Sequence, residues 1–229
     1  MRSLSDVART SRCFTAHFTA KSLVSSFHGA GYVGSRAMQG DLAVTGDADV
    51  NQLLNTDPFA LLLGMLLDQQ VPMEWAFGAP YRLRERLDGK LDPETLASTD
   101  PDEVVALFKG PPALHRFPGS MGKRAQELSR HIVEHYGGDT EAIWRDVDTG
   151  EEVLRRLLDL PGFGADKARI FLALLAKRMG VRPKGWEEAA GPFADGTRRS
   201  VADIDSPERV AEVRAWKKEQ KAKAKSKAG

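Results

Sequence analysis

The sequence predicts an all-α fold, and three observations carry that expectation. Apolar residues recur at intervals of three and four from Val50 to Leu175. The segments so marked are separated by capping and breaking pairs such as Asp57-Pro58, Gly110-Pro111 and Gly137-Gly138. No stretch holds the two-residue alternation of a half-buried strand, and none repeats at a fixed period.

Each element follows from its own residues. Leu42 and Val44 precede a Thr45-Gly46-Asp47 turn, after which Val50, Leu53 and Leu54 keep helical spacing. Asp57-Pro58 starts a helix over Phe59–Leu67, because an aspartate can accept from the first free N–H groups and proline at the first position lacks an N–H that would have no partner. Pro72 opens the next helix, through Trp75, Phe77, Tyr81 and Leu83, ending near Asp88-Gly89. Short helices start from Pro93 and from Pro101, the second burying Val104, Val105, Leu107 and Phe108. After Gly110-Pro111-Pro112 and a loop, a long helix from about Lys123 to Tyr136 closes at Gly137-Gly138. A helix from Glu151 to Leu158 leads into Leu160-Pro161-Gly162-Phe163-Gly164, and the apolar run Ala168–Leu175 follows at once. Beyond Gly180 glycine, proline and aspartate are dense up to Asp205. A final helix from Ser206-Pro207 carries Val210, Val213 and Trp216, then runs out into alternating lysine and alanine.

At 229 residues and 25.1 kDa, with 41% hydrophobic residues, the chain can bury one good core or two small lobes. No apolar run reaches the length of a membrane span. The single Cys13 excludes a disulfide framework and any four-cysteine iron–sulfur cluster. The net charge of +1 conceals an asymmetry. Residues 1–37 hold five Lys/Arg against one acid, and residues 216–229 hold six Lys against one acid. Removing those +4 and +5 contributions from +1 leaves residues 38–215 at −8. Residues 1–37, rich in Ser, Thr, Arg and Ala, have no face to bury and are expected to be disordered. Their composition resembles a transit peptide, although a start at Met38 is the preferred reading. The folded domain is expected over 38–215, and residues 216–229 as a basic disordered tail that solubilises the chain or adds affinity for a polyanion.

The turn Leu160–Gly164 organises the rest. Pro161 ends one helix, Gly162 and Gly164 permit positive φ and close approach, and the amides at the start of the next helix form an anion site. The commonest polymeric anion is a nucleic-acid backbone. Taken alone, a glycine turn is more often a mere connector.

The Leu-Pro-Gly-Phe-Gly turn, with the small Ala168 and the apolar helix beyond, resembles the helix-hairpin-helix of the DNA glycosylase superfamily that includes endonuclease III. Leu61–Gln70 is similar to that family's early core helix, and Arg116-Phe117-Pro118-Gly119-Ser120 before Lys123-Arg124-Ala125 agrees in order and spacing. The resemblance covers about Asp57 to Ala190 and implies a two-lobed, all-α HhH-GPD fold. It implies base excision on double-stranded DNA carrying a damaged base, by a cytoplasmic, nucleoid-associated monomer. Pro161, Gly162, Phe163, Gly164 and Lys167 would grip a phosphate, with a monovalent cation on the turn's carbonyls as the sole inorganic partner and no other cofactor. Gln69 or Gln70 would fill the space left by an extruded nucleotide, and Trp186 could stack on the extruded base, although core packing is its commoner use. Trp75 and Trp144 read as core.

The chemistry departs from the family pattern. Lyase members place a lysine two residues after the second glycine, where this chain has Asp166; Lys167 lies one position on, roughly 100° round a helix. Strand cleavage through an imine is therefore not expected. The aspartate that the family uses about twenty residues past the hairpin is replaced here by Trp186-Glu187-Glu188, so Glu187 and Glu188 are the candidate catalytic carboxylates, with Asp195 in reserve. The expected activity is monofunctional N-glycosidic hydrolysis. The alternative is an inactive relative that binds distorted DNA. His131 and His135 match a His-x-x-Glu-His zinc spacing but read as exposed residues of an amphipathic helix, and no metal is expected.

Overall fold

The computed structural model describes residues 38–227, where it has ten α-helices and, among the described residues, no strand. The expectations for residues 1–37 lie outside the described residues. In chain order the helices are α1 (Ala48–Thr56), α2 (Pro58–Leu67), α3 (Met73–Arg86), α4 (Pro93–Ser98), α5 (Pro101–Lys109), α6 (Pro118–Tyr136), α7 (Gly150–Leu158), α8 (Ala165–Arg178), α9 (Trp186–Ala190) and α10 (Pro207–Lys227). Short 3-10 turns occupy Thr140–Ile143, Gly191–Phe193 and Val201–Asp203.

Asp47, Asp57, Asp92, Asp100 and Thr149 each cap a helix by accepting backbone N–H groups of its first turn. Such a cap contributes about 1 kcal/mol. Two helices are wrapped by the others. In α2 every residue from Phe59 to Leu67 is buried, which an amphipathic surface helix would not tolerate, and α1, α3, α6 and the 140–143 turn pack round it. In α8 the buried residues are Ala168 and Phe171–Ala176, enclosed by α7, α9 and the 201–203 turn. Met121, Ala125, Leu128 and Ile132 of α6 face α4 and α5. The apolar side chains of both sets join one continuous core.

Three elements differ from expectation. α6 starts at Pro118, five residues before Lys123, because proline suits the first helical position and the Phe117 carbonyl accepts the Met121 N–H at 3.0 Å. Gly119 and Gly122 hide that first turn from the apolar pattern. α9 forms in a segment that reads as irregular. The expected disordered tail is corrected over 216–227, where α10 runs unbroken to Lys227; residues 228–229 lie outside the described residues. Its first half is anchored by the buried Val210 and Val213, and lysine and alanine both propagate a helix once it is nucleated. The i,i+4 pair Lys223–Glu219, at 2.7 Å, adds to it.

Candidate functional site

α2 ends against the hairpin, and the two glutamines that follow it are used differently. Gln69 is held on every side. Its amide donates to the Leu66 carbonyl at 3.0 Å, its side-chain oxygen accepts from Arg124 at 3.1 Å, and its own carbonyl accepts from His115 Nε2 at 3.0 Å. The other ring nitrogen, His115 Nδ1, accepts the Phe117 N–H at 3.0 Å, so the proton of the neutral ring sits on Nε2. His115 is fully buried, and burial pushes its pKa down. Gln70 is the exposed one, with a φ of 57° that a non-glycine residue rarely adopts. Among the described residues its side chain makes no hydrogen bond.

The hairpin packs its apolar residues inward and its backbone outward. Leu160 and Phe163 are buried, and the Phe163 ring meets Phe171 edge-on at 6.0 Å. Gly162 has φ 84° and lies so close to α2 that a Cβ would come within 2.5 Å of Leu66 Cδ1. The expectation for Gly164 needs correction: its φ is −88°, an extended conformation open to any residue, and the space beside it is open to 4 Å. Its use is room rather than backbone freedom. From there α8 starts with its first amides free of intrahelical partners.

Between these pieces lies a cleft of about 820 Å³. Asp68, Gln69 and Gln70 form one wall, Asp166, Lys167 and Ile170 of α8 another, Arg116 stands at the rim, and Lys217 and Lys221 reach in from α10. Four cations against two carboxylates make this a cationic spot on a body of charge −8. Lys167 Nζ donates to the Leu66 carbonyl at 2.6 Å and sits 5.8 Å from the centre of the Phe163 ring. This contact ties the start of α8 to the carbonyl end of α2. Burial lowers the Lys167 pKa to about 8, against the opposing pull of Asp68. Burial likewise raises Asp68, with Lys217 and Lys167 acting the other way.

The structure brings together only part of the expected set. Gln69, Gln70 and Lys167 line the cleft, whereas Pro161, Gly162, Phe163 and Gly164 do not line it and the turn instead meets α2 where Gly162 approaches Leu66. Glu187 is exposed on α9, Glu188 borders a separate hollow of about 520 Å³ with Arg169 and Lys184, and Asp195 pairs with Arg199 on the surface. None of these three lines the cleft. Trp186 packs on the core, with its backbone against Gly150, where a Cβ would come within 2.5 Å of its Cα. Trp144 is buried edge-on to Phe171 at 5.7 Å, and the half-buried Trp75 donates to the Ala113 carbonyl at 3.2 Å. The His131 and His135 rings lie 4.3 Å apart, and among the described residues no cluster of three metal-ligating side chains occurs.

Asp68 is the residue that sequence reading passes over, since it stands inside the Leu61–Gln70 block with no pattern to single it out. Lys217 and Lys221 read as tail, although their spacing of four already placed them on one helix face. A family model described as HhH-GPD superfamily base excision DNA repair protein matches residues 63–227, from within α2 to the end of α10. Among curated proteins, none matches the sequence.

Proposed function

The chain belongs to the HhH-GPD superfamily of base excision DNA repair proteins, and from that premise we propose that it is a monofunctional DNA glycosylase that hydrolyses the N-glycosidic bond of a damaged base extruded into the cleft. Proteins of this superfamily bind DNA, and no helix among the described residues is long and apolar enough to cross a membrane. The observation that carries the proposal is the meeting, in one cationic cleft, of the first turn of α8 just past the hairpin, the free Gln70 and the half-buried Asp68.

Each part has a role in this reading. The exposed backbone at Gly162, the open space at Gly164 and the first amides of α8 receive a phosphate, where the helix dipole favours an anion. Gln70, projecting from a fixed turn, enters the stack and offers donor and acceptor to the widowed base, while Gln69 holds that turn in place. The carboxylate role passes from Glu187, Glu188 and Asp195, which stand outside the cleft, to Asp68. As the bond to the base breaks, its electron pair leaves with the base and positive charge grows on the sugar. Asp68 faces that charge, and the attacking water gives its proton to the carboxylate, whose raised pKa makes it the better acceptor. A monovalent cation at the hairpin would rest on carbonyls between Leu160 and Gly164, whose own carbonyls already accept from Phe163 and Ala168. No step here depends on it.

One observation favours a second reading. Lys167 is off the lyase position, yet its amine is in the cleft with a pKa of about 8, and a neutral amine there could attack the sugar and cleave the strand. Single-turnover reactions of the full chain on duplexes with different lesions separate the readings. The first expects release of one lesion class, strand breaks only after alkali, no complex trapped by borohydride, and a loss of about 100-fold or more in Asp68→Asn. Breaks without alkali, with a trapped complex that disappears in Lys167→Met, would establish the second. Binding without excision of any lesion would leave a DNA-binding relative only.

A further inference from the structure

α10 carries a cationic stripe that the hairpin-centred account leaves unused. Arg214, Lys217, Lys218 and Lys221 occupy positions i, i+3, i+4 and i+7, so they share one face of the helix. The first two members of the stripe contact the body. Arg214 pairs with Glu74 of α3, and Lys217 Nζ lies 3.5 Å from Met73 Sδ and close enough to Asp68 to oppose the rise of its pKa. Val210 and Val213 are buried one turn earlier, and the Arg199 guanidinium lies 5.5 Å from the centre of the Trp216 ring, so the stripe is set by packing at its root. Further along, Lys218 and Lys221 are exposed, and among the described residues neither forms an ion pair.

Between the stripe and Val71-Pro72-Met73 runs a groove of about 340 Å³. It shares Val71, Pro72, Lys217 and Lys221 with the cleft, so the two are continuous. A groove with an uncharged floor on one side and a row of cations on the other fits a sugar-phosphate backbone, sugars against Val71 and Pro72 and phosphates against the lysines. The match in length is close. Seven residues of helix span about 10 Å, and a DNA strand presents one phosphate per about 3.4 Å of axis, so the stripe covers about three phosphates.

We propose that the Arg214–Lys221 face of α10 is a second phosphate grip, holding the DNA strand on the far side of the cleft from the hairpin. The inference rests on the reading of the cleft as the DNA site. It predicts that α10 belongs to the binding surface as a fixed wall, not as a mobile tail, and that its contribution is independent of sequence and sensitive to salt.

The test measures affinity of the full chain for a duplex containing a tetrahydrofuran abasic analogue, by fluorescence anisotropy over a range of salt concentrations. The variants are Lys217→Gln/Lys221→Gln, Lys218→Gln/Lys221→Gln and the off-stripe Lys223→Gln, with Gly164→Val reporting on the hairpin. Because Lys217 packs on Met73, the second double variant, on exposed residues only, guards against a folding defect in the first. Neutralising two lysines that each face a phosphate should lower the slope of log K against log salt by about 2, since each contributes about 0.9. Lys223→Gln should change that slope by less than half as much. Loss of binding in Gly164→Val with an unchanged slope in both double variants would overturn the α10 grip and leave the cleft reading standing. Full binding in Gly164→Val would overturn the cleft reading, and the inference with it, whatever the lysines do.

Discussion

Gly162 and Gly164 look alike in the sequence, one residue apart in the same turn, and the structure separates them. At Gly162 an alanine would have to hold φ 84° and bring its Cβ to 2.5 Å from Leu66, a fully buried side chain with nowhere to swing. Gly162→Ala should therefore lose about 1–3 kcal/mol of stability, read by denaturant melts. At Gly164 the backbone is extended and the space open, so Gly164→Ala should stay within about 0.5 kcal/mol of wild type. Its loss should appear in DNA affinity instead, because the new methyl group stands where a phosphate approaches. Wild-type affinity in Gly164→Ala would remove that phosphate from the account. The same limit on legibility applies at Gln69-Gln70: a pair of amides at a helix end is visible, but which one is tied to Leu66, Arg124 and His115 and which is free depends on partners up to 55 residues away.

At the scale of the element, the Ala113–Phe117 loop is held to the end of α2 by one buried neutral histidine. His115 donates to the Gln69 carbonyl and accepts from the Phe117 N–H, and it positions Arg116 at the rim of the cleft. Burial lowers its pKa below the ordinary 6.5. As pH falls through 6.5, the unfolded chain takes up a proton that the folded ring resists, so the histidine's contribution to stability is present above 6.5 and declines below it. Asp57 and Asp68, whose pKa values burial raises, work in the opposite sense over the acid range. The difference between wild type and His115→Asn isolates the histidine. The variant should be less stable at pH 7.5 by about 1–3 kcal/mol, with the gap narrowing as the pH is lowered towards 5. A gap that widens on acidification would mean that the ring is charged in the fold. Most helices were legible from apolar spacing and caps, and the starts of α2, α4 and α5 fall at the prolines that announce them. α9 was not, because five residues are too few to show a period, and neither was the far half of α10, whose lysines and alanines carry no apolar pattern.

For the whole molecule, charge and family membership point the same way. The described domain is acidic as a body and gathers cations at one cleft, where Arg116, Lys167, Lys217 and Lys221 come from separate stretches of chain. Fold and family could be read from the turn Leu160–Gly164 and the block Leu61–Gln70, since both are local patterns. The carboxylate could not. Counting past the hairpin leads to Glu187 on α9, whereas Asp68, the cleft carboxylate proposed for the chemistry, comes from the end of α2, far earlier in the chain. The central claim is that this cleft receives an extruded nucleotide while Gln70 occupies its place in the stack. The most direct measurement is the fluorescence of 2-aminopurine placed in a duplex opposite a mismatched base, followed during binding of wild type and Gln70→Ala, with anisotropy recording the bound fraction. The account predicts that wild type raises the fluorescence as the base leaves the stack, and that Gln70→Ala raises it less at equal occupancy. Fluorescence that stays quenched with wild type fully bound would contradict it.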